Sequence, residues 1–167
     1  MKVTIGGESL SAVYDRAHRL RPEEYIYIQE LTMNITELFR PGMTNEAAFE
    51  VKEEHSALQL GSGSLRVLAT PMMIRFMELI SHELIAQNLP GAYSSVGVHV
   101  DVRHLAPTPI NKIVRFRCEI LEVKEPGIKF SVNAWDEVEK IGEGQHKRVI
   151  IEVDRFFSRV EAKMNLS

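Results

Sequence analysis

The stretch VLATPMMIRFMELISH, residues 67–82, decides how the rest of the chain is read. Met72, Met73, Ile74, Phe76, Met77, Leu79 and Ile80 nearly surround it with apolar side chains, the pattern of a helix buried in a core. Thr70 offers a hydroxyl suited to an N-cap, and Pro71 suits the first helical position. Asn88, Pro90 and Gly91 mark the stop. Glu78 lies in the middle of the apolar run, and a carboxylate embedded there needs a partner or a task.

Beyond this helix the chain alternates with period two. In VGVHVDV (96–102) the valines share one face, with Gly97, His99 and Asp101 on the other. In IVRFRCEILEV (113–123) Val114, Phe116, Cys118 and Ile120 alternate with Arg115, Arg117 and Glu119. IKFSVNAWD and KRVIIEVDRFF continue the pattern, separated by EPG and by the glycines of IGEGQ. Such strands predict an antiparallel sheet with one face covered, and the one long apolar helix is the natural cover. The expected fold is therefore α+β, of the hotdog type: a curved antiparallel sheet wrapped around one buried helix.

Upstream, the pattern is helical. Residues 9–20 could form a short helix, and PEEYIYIQELTMNITELF, from Pro22 to Phe39, places Ile28, Leu31, Ile35 and Leu38 at helical spacing. A strand is expected around Ala48–Leu58, then a turn at GSGS, 61–64. The expected organisation is an N-terminal helical extension over 1–41 and a hotdog domain over 42–167.

Composition narrows the function classes. The 167 residues suit one domain with an appendage, and 44% hydrophobic with 26% charged residues is ordinary for a soluble globular protein. A net charge of -3 gives no global attraction to nucleic acid or anionic membrane. The one cysteine, Cys118, excludes an intrachain disulfide. No secretory signal is legible at the start and no stretch approaches the ~20 apolar residues of a membrane span, so a cytoplasmic location is expected.

The quoted helix, GVHVDVRHLAPTP (97–109), VRFRCEILEV (114–123) and AWDEVEKIGEGQHKRVI (134–150) together resemble the hotdog-fold thioesterases typified by fluoroacetyl-CoA thioesterase. The resemblance spans about residues 42–157. It implies a homodimer that hydrolyses acyl thioesters in pockets at the subunit interface, with no cofactor. It also implies catalytic roles for Thr70, Glu78 and His104, with Gly97 near the acyl group and Arg148 contributing to substrate binding. Fluoroacetyl-selective members carry an aromatic lid shortly before the threonine; here that stretch is GSGSLR, with nothing aromatic between Phe49 and Phe76.

Each residue also has a plainer reading. Thr70 can be an N-cap, its hydroxyl satisfying a helix N–H. Glu78 can pair with Arg75 three residues earlier or His82 four later; embedded among apolar groups it would have a raised pKa, which suits proton transfer. His104 stands before LAPTP, where prolines end sheet pairing, and titrates near neutrality. The six histidines prompt a metal check. His99 and Asp101 point one way along the strand and His104 the other, and an HExxH begun at His82-Glu83 fails at Ala86, so no metal site is expected. Arg103, Lys112, Arg115, Arg117, Lys147 and Arg148 are the cations available to coenzyme A phosphates, with Arg148 favoured by the resemblance. Two further readings stay open: a hydratase or dehydratase using Glu78 with His82, and a non-catalytic binder of acyl thioesters or acyl carriers.

Overall fold

The computed structural model describes residues 34–164, together with two short paired strands near the start, β1 (Thr4–Ile5) and β2 (Glu8–Ser9). The chain divides into two compact units, Met1–Met33 and Asn34–Ser167. Most of the two helices expected over 9–20 and 22–39 lies outside the described residues. The part that is described departs from expectation. Asn34 has extended backbone and its side chain accepts from the Thr36 N–H, so a new helix, α1 (Ile35–Leu38), begins there rather than continuing from Pro22.

The second unit runs β3 (Thr44–Glu50), a 3-10 turn at Glu53–His55, α2 (Thr70–Ala86), β4 (Tyr93–His104), β5 (Ile113–Lys124), β6 (Gly127–Trp135), β7 (Lys140–Glu152) and α3 (Val153–Met164). The strands form one antiparallel sheet in the order β3-β5-β6-β7-β4, with α2 packed on it: the hotdog fold. The expected strand at 48–58 is corrected to 44–50. Val51 N–H is drawn to the Lys112 carbonyl, and residues 53–63 close into turns whose N–H groups bond back to Lys52, Glu53, Ser56 and Ala57.

The period-two reading of β5 holds: Val114, Phe116, Cys118 and Ile120 are buried, and Arg115 and Arg117 are exposed. Ile128, Phe130, Val132 and Ala134 of β6 extend that face. Onto it α2 sets Met73, Phe76, Met77, Ile80, Leu84 and Ile85. Phe49 stacks on Phe76 at 4.4 Å between ring centroids, and Phe76 meets Phe116 at 5.3 Å, so three elements share one aromatic seam. Gly142 permits the close approach at the helix start, since a Cβ there would stand 2.5 Å from the Met73 sulfur. Asn45 donates to the Ile80 carbonyl at 2.9 Å and ties β3 to the helix.

Two positional consequences matter for the site. Among the described residues the strand β4 is at the sheet edge, hydrogen-bonded only to β7, and its register slips between Gly97 and His99. Helix α2 crosses under the sheet with its N-terminus near the end of β4 and its middle near the start. Among the described residues no helix is long and apolar enough to cross a membrane.

Candidate active site

Thr70 is the first residue of α2, not its cap. Ala69 takes the cap position, with extended backbone (φ -72, ψ 140) and no side-chain bond to the helix. Pro71 falls in the first turn, where its missing N–H leaves nothing unpaired. The Met72 and Met73 N–H groups both turn to the Ala69 carbonyl, while that of Thr70 has no partner among the described residues. The Thr70 hydroxyl is thereby released from capping. Its Oγ1 lies 2.9 Å from Nδ1 of His104.

A cross-tie holds that pair. After β4 ends at His104, the Leu105 N–H bonds to the Ile141 carbonyl, and the chain turns to pair Pro109 with Val67. The Leu68 N–H donates to the Thr108 carbonyl at 2.8 Å, and the buried Thr108 hydroxyl donates to Asp136. Residues just before Thr70 are thus bound to residues just after His104. Burial pushes the His104 imidazole below its ordinary range, against an opposing pull from the Ala106 backbone, which favours the neutral ring near pH 7. Its Nε2 is buried with no hydrogen-bond partner among the described residues. A pocket of about 360 Å³ opens beside the pair, lined chiefly by Ala57, Val67, Leu68, Leu105, Ala106 and Pro107.

Glu78 lies elsewhere. Eight residues along α2, at ~1.5 Å per residue, separate it from Thr70 by roughly 12 Å along the axis. The expectation of an embedded carboxyl is corrected: 40% of its side chain is exposed. It forms no pair with Arg75, whose guanidinium lies over the Phe76 ring instead. Its surroundings are polar and come from β4 and β7. Gly97 is pressed so closely against it that a Cβ would stand 2.5 Å from Glu78 Oε1 and 3.1 Å from His146 Cε1. His146 Nε2 is 3.7 Å from the same carboxylate oxygen.

Arg148 completes this second cluster. It is 7% exposed, and its Nε and Nη2 donate to the hydroxyl and carbonyl of Ser95, both at 2.9 Å. Its Nη1 meets His146 Nε2 at 3.2 Å. Burial lowers the guanidinium's proton affinity and Glu78 opposes that, but an arginine stays cationic at any ordinary pH. His82, one turn after Glu78, approaches the Ser95 hydroxyl at 3.4 Å and is depressed by burial and by Arg148, with Glu83 opposing.

The five residues singled out from the sequence therefore fall into two groups, Thr70 with His104 and Glu78 with Gly97 and Arg148. His146 and Ser95 were missed. Their signal was the same alternation that found the core: His146 is two residues before Arg148 on one strand face, and Ser95 two before Gly97. Of the other cations considered, Arg103 pairs with Glu143, Lys112 with Glu137, Arg115 with Glu46 and Arg117 with Glu119 across the solvated face.

Residues 51–154 match the fluoroacetyl-CoA-specific thioesterase family, FlK. The fluoroacetyl-CoA thioesterase of Streptantibioticus cattleyicolor is 32% identical over 97 residues, which are 58% of this chain and 70% of that protein. A crystal structure of a single-substitution variant of FlK with fluoroacetate and CoA superposes with a TM-score of 0.68 at 27% identity, covering 71% of this chain and 99% of the other. A hot-dog-like protein from Thermanaerovibrio acidaminovorans shares the fold, with a TM-score of 0.73, 24% identity and coverage of 78% and 97%. These likenesses define the class, a thioester hydrolase built on the hotdog fold. The chain belongs to the fluoroacetyl-CoA-specific thioesterase family.

Proposed function

We propose that this protein hydrolyses short to medium acyl-CoA thioesters as a homodimer, in sites that combine Thr70 and His104 of one protomer with Glu78, Gly97 and Arg148 of the other. The observation that carries the reading is the 2.9 Å contact between the Thr70 hydroxyl and the His104 imidazole at a helix start. His104 Nδ1 takes the hydroxyl proton as Oγ1 attacks the thioester carbonyl. The unpartnered Thr70 N–H, at the positive end of the helix, receives the developing oxyanion. His104 returns its proton to the departing thiolate; Glu78 then draws a proton from the water that attacks the acyl-threonine, and that proton returns to Thr70 Oγ1 as the acid departs.

Why two chains are needed follows from the edge strand. Gly97 and His104 are seven residues apart on β4, which is roughly 23 Å in extended chain. Two such strands paired antiparallel about their common middle bring the His104 end of one beside the Gly97 end of the other. The edge invites this: it is 12 residues long, carries no proline or lysine, and exposes Val100. Arg148 has three of the five N–H groups of a guanidinium in use, leaving two for a substrate oxygen. The aliphatic wall beside Thr70, with no aromatic side chain in it, supports an acyl group larger than a two-carbon unit.

Complementation tests the arrangement. Thr70→Ala and Glu78→Gln homodimers are each expected to be inactive on acetyl-CoA and butyryl-CoA. Remixing them after reversible dissociation is expected to restore about a quarter of wild-type turnover, since half of the dimers then hold one intact site. No recovery in a mixture shown to contain heterodimers overturns the shared site, and full activity of either homodimer overturns the residue roles.

A further inference from the structure

We propose that His146 is a positioning residue of this hydrolytic site: its neutral, Nδ1-protonated ring holds the Arg148 guanidinium in place beside Glu78. The inference rests on the function proposed above and assigns a residue that reading does not use. His146 is 1% exposed, in the centre of β7, with its ring near that of Phe130. Its Nδ1 is 2.9 Å from the backbone carbonyl of His99, and a carbonyl can only accept, so the proton is on Nδ1. Nε2 is then a lone pair. That lone pair meets Arg148 Nη1, which can only donate, at 3.2 Å.

The two ends of the ring therefore read opposite partners, and one tautomer alone satisfies both. The contact between Nε2 and Glu78 at 3.7 Å is not an ion pair in this state. The cation of this cluster is Arg148, on whose charge Glu78 acts favourably, and His146 helps to set where it lies. Ser95 fixes one side of the guanidinium fork and His146 the other, so three bonds define its plane. Two N–H groups of a buried arginine are left over, and that plane aims them. The close packing bears on the glycine as well: a Cβ at 97 would stand 2.5 Å from Glu78 Oε1 and 3.1 Å from His146 Cε1. The register slip between Gly97 and His99 falls at the point where the carbonyl that sets the tautomer is delivered.

Two substitutions separate the ends of the ring. His146→Asn puts an amide at the Nδ1 position, in reach of the His99 carbonyl but not of Arg148. His146→Gln puts an acceptor oxygen at the Nε2 position, in reach of Arg148. With acetyl-CoA and butyryl-CoA, read by thiol release, His146→Asn is expected to lower kcat on the order of 100-fold with KM changed by less than about 3-fold. His146→Gln is expected to recover all but about tenfold of that loss. Arg148→Met combined with His146→Asn is expected to be no slower than Arg148→Met alone, the non-additivity of two groups acting as one. A kcat for His146→Asn within about twofold of wild type, equal losses for Asn and Gln, or multiplying losses in the double variant would each overturn the proposal. Thr70→Ala, measured alongside, separates it from its parent. If Thr70→Ala turns over like wild type, the hydrolytic reading fails; if it is inactive while His146→Asn is unimpaired, the positioning role fails by itself.

Discussion

Thr70 begins a helix and yet spends its hydroxyl on His104, 34 residues away, instead of on the helix. A threonine at such a place ordinarily caps. Here the cap position falls one residue earlier, on Ala69, whose side chain can do nothing for the helix. The distinction between a capping and a reacting hydroxyl is therefore open to measurement.

Thr70→Ala is expected to lower kcat by about 10²-fold or more, because the attacking oxygen is lost. Its stability cost is expected to stay within about 0.5 kcal/mol, since no cap bond is removed and the lost bond to His104 is a solvent-exposed one. Thermal unfolding and thiol release on the same sample check both. A loss of about 1 kcal/mol or more, typical of a removed N-cap, would restore the structural reading.

On the proposed mechanism, Glu78→Gln is expected to stall the second half-reaction. Mixed with butyryl-CoA and quenched in acid within milliseconds, this variant is expected to carry one acyl group on the peptide containing Thr70, detected by mass spectrometry. A burst of free thiol equal to the number of sites accompanies it. Steady slow release with no labelled peptide would favour direct attack by water.

Gly97→Ala separates packing from chemistry. The added Cβ would stand 2.5 Å from Glu78 Oε1, the mobile end of a partly exposed side chain, which can swing aside at little cost to stability, and 3.1 Å from His146 Cε1, a tight contact relieved by a shift of a few tenths of an ångström. The carboxylate then leaves its place, and kcat is expected to fall at least about tenfold with the melting temperature nearly unchanged. Wild-type turnover would show that the position of the carboxylate does not matter.

Acid dependence follows from three imidazoles. Burial depresses His82, His104 and His146 below the free value of ~6.5, so each binds its proton more tightly in the unfolded chain. Their contribution to stability is complete above that value and is lost as pH falls below it. The melting temperature is expected to drop between pH 7 and 5, and the acid limb of kcat/KM to lie below 6.5, where His104 becomes protonated. An acid limb at or above 6.5 would remove His104 as the base.

Much of this fold was legible before any coordinates, because burial imposes a period on sequence. The alternation of β5 and the apolar surface of α2 could hardly be read otherwise. The errors fall where period is silent. Residues 51–66 are held by turns and by bonds to distant carbonyls, so a strand expected to reach Leu58 stops at Glu50. Glu78 was taken as embedded because its neighbours in sequence are apolar, yet its own face of the helix looks toward the edge strand, where the sheet gives out. The N-cap was misplaced by one residue, which the Thr-Pro pair alone does not resolve. Chemistry was legible through a resemblance that supplied residue types; the tautomer of His146 and the fork of Arg148 depend on backbone carbonyls, and no sequence position announces those.

The cross-tie through Thr108 carries a consequence for tolerance to change. Three residues, Leu105, Ala106 and Pro107, join His104 to a threonine that is clamped at both its carbonyl and its hydroxyl, so the span has no slack. Shortening or lengthening it by a single residue would shift the imidazole off the hydroxyl without unfolding anything. Thr108 is fully buried, yet it sets the gauge of the Thr70–His104 pair, as a buckle fixes the length of a strap it does not cover.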